Sequence, residues 1–227
     1  MTNEHVAGNR ATGMDRLEFV WPADIEARSF TIIGEELAAQ GISLDDLDAA
    51  TQLVVKRVIH TTADFDFAHT LCFSPRAVGQ GIAALRAGAH VVTDTTMAAA
   101  GINKRVLASL GGEVHTFIAD EDVAAEARRR GLTRSAVSME RAAQLAGPLV
   151  FAIGNAPTAL VQLHSMLVAG TMPVPALVIG VPVGFVNVVE SKELIRQTDV
   201  PHIVARGRKG GSTVAAAIVN ALLYQAR

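Results

Sequence analysis

Five short apolar runs, separated by helical patterns, limit what this sequence can fold into. They are "HVVTD" (90–94), "VHTFI" (114–118), "LVFAIG" (149–154), "ALVIGV" (176–181) and "HIVAR" (202–206). Most are continuous rather than alternating in polarity, as in strands buried on both faces. Helical stretches such as "TRSAVSMERAAQLAG" (133–147) and "TALVQLHSMLVAG" (158–170) lie between them. The rhythm predicts an α/β fold, with a predominantly parallel sheet of about five strands covered by helices on both faces. Two helices are expected ahead of it. One runs from Asp24 as N-cap to Gly41 as stop. The other spans 43–59 and is opened by Ser43 and Asp46 as an S-x-x-D start.

With 227 residues, half of them apolar, the chain suits one domain over residues 16–227 after a polar, flexible leader at 1–15. The net charge of −2 provides no general attraction for nucleic acid, so an anionic ligand needs a local cluster of cations. The single cysteine, Cys72, excludes an internal disulfide and points to a reducing, cytoplasmic setting. The longest apolar stretch (175–189) is broken by Pro182 and glycines, so no membrane span is expected.

Ligands of open parallel sheets sit beyond the carboxyl ends of the strands. Four of the five runs end in turn-rich segments: Thr93-Asp94-Thr95, Gly154-Asn155-Ala156-Pro157-Thr158, Pro182-Val183-Gly184-Phe185 and Gly207-Arg208-Lys209-Gly210-Gly211-Ser212. Ordinary turn chemistry uses the same residues. The last segment stands out because Arg206, Arg208 and Lys209 meet two glycines and Ser212, a candidate N-cap. That is anion-binding chemistry without a Walker or dinucleotide pattern. Thr133 reads as an N-cap and leaves Arg134 unexplained. Arg28 and Ser29 fall inside the first helix.

"HTTADFDF" (60–67) sets His60 at a helix C-terminus, where the dipole favours a protonated ring and an acid/base role. A histidine satisfying a helix end is the bland alternative. Asp64 and Asp66 form a D-x-D, a weak metal signal. None of the seven histidines shows a metal-ligand spacing, so no protein-held metal is expected.

Taken in order, "IEARSFTII", "KRVIHTTADFDF", "TDTTMAAAGINKRVL", "TRSA", "FAIGNAPTAL", "VIGVPVGFVNVVESKEL" and "GRKGGSTVAAAIVNALL" resemble the precorrin-8X methylmutase family of corrin biosynthesis, from about Ile25 to the C-terminus. The resemblance implies an isomerase that moves a methyl group from C11 to C12 of a tetrapyrrole, with no cofactor. It leans towards the branch using cobalt-precorrin-8, whose cobalt belongs to the substrate; metal-free precorrin-8X is the alternative. It implies an acid/base role for His60 and substrate contact for Ser29. The substrate-binding candidates around them are Arg28, Thr93, Asp94, Met97, Arg134, Asn155, Thr158, Arg206, Arg208, Lys209, Gly210, Gly211 and Ser212. A homodimer with sites near its interface is implied as well. A nucleotide-using transferase and a non-catalytic tetrapyrrole carrier remain as rival readings.

Overall fold

All five apolar runs contribute strands in the computed structural model, which describes residues 18–227. The leader expected at 1–15 lies outside the described residues. The chain opens with α1 (Ile25–Ala39), α2 (Ala49–Thr62) and α3 (Phe67–Thr70), then β1 (Leu71–Phe73) and α4 (Ala77–Arg86). It continues with β2 (His90–Thr93), α5 (Thr96–Gly101), α6 (Lys104–Ser109), β3 (Val114–His115), α7 (Glu121–Arg130) and α8 (Arg134–Ala142). It closes with β4 (Leu149–Ile153), α9 (Pro157–Val168), β5 (Leu177–Gly180), α10 (Val188–Arg196), β6 (His202–Ala205) and α11 (Ser212–Ala226).

Among the described residues the sheet has six strands, in the order β1-β6-β5-β4-β2-β3. The five expected strands are parallel, and β1 adds an antiparallel edge against β6. Both faces are covered, and period-two alternation divides the core between them. Val150 and Ala152 of β4 join a core with α2, α4 and α11, whereas Leu149, Phe151 and Ile153 join one with α8, α9 and α10. α11 is buried along most of its length, because α2 packs over it on the side away from the sheet. No helix of the described residues is long and apolar enough to cross a membrane.

Two expected helix starts are corrected. α2 begins six residues after Ser43, capped by Asp48, whose carboxylate accepts from the Thr51 N–H at 2.8 Å. Ser43 instead closes a local turn by accepting from the Asp45 N–H at 3.0 Å. Ser212 is the first residue of α11 rather than its cap, and its hydroxyl bonds Thr95 Oγ1 at 2.8 Å. Thr133 does cap α8, accepting from the Ala136 N–H.

Candidate active site

The end of α2 is built by its own side chains. Thr61 and Thr62 donate back to the carbonyls of Arg57 and Val58, at 2.9 and 2.8 Å. Ala63 ends the helix in a left-handed conformation (φ 52°), with its N–H on the Ile59 carbonyl. These bonds occupy helix-end groups and leave His60, in the last turn, with its ring exposed. The edge of the ring meets the Phe30 ring of α1 at 5.8 Å and 84°. His60 and Ser29 line one groove between α1 and α2, with Ile32, Ile33, Ile59 and Phe65 as its apolar walls. Ser29 donates to the Ile25 carbonyl at 2.8 Å, which leaves its oxygen lone pairs available. Nearby, Arg57 makes a two-pronged pair with Glu26 at 2.7 and 2.9 Å, and that bond lowers the Glu26 carboxyl below its ordinary range. Arg28 is engaged by Glu18 at 2.9 Å.

The aspartates of "HTTADFDF" have a partner 143 residues or more away in sequence. Lys209 donates to Asp64 at 2.7 Å and to Asp66 at 2.6 Å. The two carboxylates raise the lysine pKa, and the lysine lowers that of Asp66. Lys209, expected as a substrate-binding cation, is paired with both carboxylates and ties the His60 segment to the β6–α11 loop. Lys192 of α10 carries no sequence signal for the task it performs. Lys192 is fully buried, and its ammonium donates to the carbonyls of Gly207 and Lys209 at 2.8 and 2.9 Å. Burial pushes its pKa down to about 8.

The strand order reverses at the crevice between β2 and β4, where open sheets usually bind ligands. Here the chain supplies its own anion. The Asp94 carboxylate, 1% exposed, accepts from the N–H groups of Gly154, Asn155 and Ala156 at 2.9, 2.8 and 2.6 Å. Burial raises its pKa and the three donors oppose the rise. Thr93 is also buried, donating to the Thr95 carbonyl. Both side chains fasten loops. Gly154 permits this packing, since a Cβ there would meet the Ser212 Cα at 2.6 Å. A Cβ on Gly210 would meet the Val181 carbonyl oxygen at 2.1 Å. Gly211 donates to that same oxygen at 2.8 Å.

The remaining candidates fall into two groups. Asn155, Arg206 and Arg208 are exposed at the strand ends, and Met97 is 66% exposed in the first turn of α5. Arg208 lies over the Phe185 ring at 5.4 Å, beside exposed Val183 and Val186. Arg134 reaches the Ile118 carbonyl at the exposed start of α8, while Thr158 accepts a hydrogen bond from Thr133. The fold thus brings Ser29 and His60 together and links them to the basic loop through Lys209.

The comparisons with known proteins now decide the family. The precorrin-8X methylmutase family model matches residues 24–225. The chain belongs to the precorrin-8X methylmutase family. It is a methylmutase, an isomerase of cobalamin biosynthesis. The cobalt-precorrin-8 methylmutase of Salmonella typhimurium is 47% identical over 209 residues, covering 91% of this chain and 96% of that one. The precorrin-8X methylmutase of Pseudomonas aeruginosa is 42% identical, covering 87% and 93%. The crystal structure of precorrin-8X methylmutase from Thermus thermophilus superposes with a TM-score of 0.80 at 39% identity, over 90% of this chain and 96% of that one.

Proposed function

We propose that this methylmutase acts on cobalt-precorrin-8, moving the methyl group from C11 to C12, with His60 as the acid/base. The observation that carries the reading is the groove shared by His60 and Ser29. His60 delivers a proton to the macrocycle near ring C. The methyl group shifts between adjacent carbons, and His60 then recovers the proton, so the product is an isomer of the substrate. A positioned acid/base of this kind contributes about 10²–10⁴ in rate. Ser29 presents a hydroxyl to the ring from the facing helix. Arg206 and Arg208 meet the carboxylate side chains of the substrate, and Val183, Phe185 and Val186 offer apolar surface to its ring. The cobalt is part of the substrate. The relative from Pseudomonas aeruginosa, named for precorrin-8X, favours the metal-free macrocycle as a second reading.

The groove holds about 210 Å³, less than the roughly 300–1,000 Å³ of usual small-molecule sites. A tetrapyrrole therefore extends beyond it, and a homodimer in which a second copy completes the walls accounts for the difference. A cytoplasmic setting fits one unpaired cysteine.

His60→Ala tests the assignment. The variant should fold and bind the macrocycle, because the side chain is exposed and the loops are untouched. Its turnover of cobalt-precorrin-8, followed by the absorbance change, should fall by roughly 10² or more. Near wild-type turnover with both cobalt-precorrin-8 and precorrin-8X overturns the assignment.

A further inference from the structure

At the edge of the sheet away from β1, three metal-ligating side chains share one face. β2 and β3 run parallel, with Val91 opposite Val114 and Val92 opposite His115. One step back sets His90 beside Glu113, and the Val91 N–H donates to the Glu113 carbonyl at 2.8 Å. Side chains two apart on a strand point the same way, as do side-by-side partners of parallel strands. His90, Glu113 and His115 therefore project from the face that carries Val92. Their ligating atoms all lie within 4.8 Å of one another. His115 Nε2 stands 3.1 Å from His90 Nδ1. Two imidazole nitrogens bonded to one tetrahedral zinc ion stand about 3.3 Å apart at the usual bond lengths. The His115 ring stacks on Phe117 (6.2 Å, 17°), which limits its rotation. Both imidazoles are half-buried and Glu113 is exposed, so water and ions reach the group.

We propose that His90, Glu113 and His115 form a site for a divalent transition-metal ion, with zinc the best match. Two imidazoles and one carboxylate are a zinc donor set, and water completes the tetrahedron. The expectation of no protein-held metal rested on spacing within the sequence. These donors instead come from β2, from β3 and from the residue just before β3, and only Glu113 and His115, at i and i+2, are close in the chain. The ion would have a mechanical task. β3 contributes only Val114 and His115 to the ladder, and a shared metal would fasten this short strand to β2. The site lies at the amino end of β2, at the other end of that strand from Thr93 and Asp94.

A hydrogen bond between the two rings, with one nitrogen protonated, is the competing account. Tag-free protein, stripped with a chelator and dialysed, should be titrated with Zn²⁺ alone by calorimetry. A parallel titration with Co²⁺ alone should be followed by visible absorption. The expected result is one equivalent bound with micromolar or tighter affinity, intense tetrahedral cobalt bands and a raised melting temperature. Glu113→Gln and His115→Ala should each weaken binding by about tenfold or more, with methylmutase turnover retained. Absence of saturable binding overturns the proposal, as does binding unchanged in both variants. If His115→Ala fails to fold, Glu113→Gln decides alone, because that side chain is exposed.

Discussion

At the scale of single residues, Asp94 shows why a polar residue at a strand end is an ambiguous sign. Its position after β2 fits a ligand contact equally well, yet its carboxylate closes the anion-binding crevice with three N–H bonds. Replacing it with Asn keeps the shape but turns one acceptor into a donor facing N–H groups. Asp94→Asn should therefore cost about 2–4 kcal/mol in unfolding free energy, measured by urea denaturation. A loss below about 0.5 kcal/mol, the level of a neutral surface change, would contradict this role. Thr133 was legible as a cap because capping is local, acting within three residues. Asp64 and Asp66 were not legible: D-x-D suggests metal binding, and nothing near it in the chain indicates that Lys209 will occupy both carboxylates. His90 and His115 were hidden for the same reason, since strand register brings them together.

At the scale of elements, β2, β4, β5 and β6 were legible because each is buried enough over four or five residues to make a nearly unbroken apolar run. β1 was missed. Its three residues follow directly on α3, and Cys72 and Phe73 are only partly buried, so no apolar block marks it. The β6–α11 loop was read as a free cluster of cations, whereas it is held from two sides: Lys192 binds its carbonyls from below and Lys209 binds the α2–α3 segment. The buried lysine gives this loop a pH signature. Its folded pKa, about 8, lies below its ordinary 10.5. Below pH 8 both folded and unfolded chains carry the proton, and the cost of burying the charge is present in full. Between the two values the unfolded chain binds more proton, so stability rises with pH. Wild type should gain on Lys192→Met by up to roughly 3 kcal/mol from pH 7.5 to pH 10.5, read from denaturation midpoints at each pH. A flat difference would mean that Lys192 keeps an ordinary pKa.

At the scale of the whole molecule, the groove of His60 is too small for its proposed substrate, and apolar side chains lie exposed beside the strand ends, with Phe185 81% and Val186 78% exposed. Both observations favour association. Light scattering at micromolar concentration should give about twice the 23.8 kDa chain mass; a monomeric mass would remove the interface-built site. The lengths of the edge strands bear on how two copies would meet. β1 has three residues and β3 has two, so neither offers a ladder long enough for another chain to extend. Strand addition between copies is thus discouraged, whether towards a continuous intermolecular sheet or towards fibrils. A pair of these molecules must be joined by side chains on helices and loops, where a few substitutions can retune the contact without disturbing the main chain of the sheet.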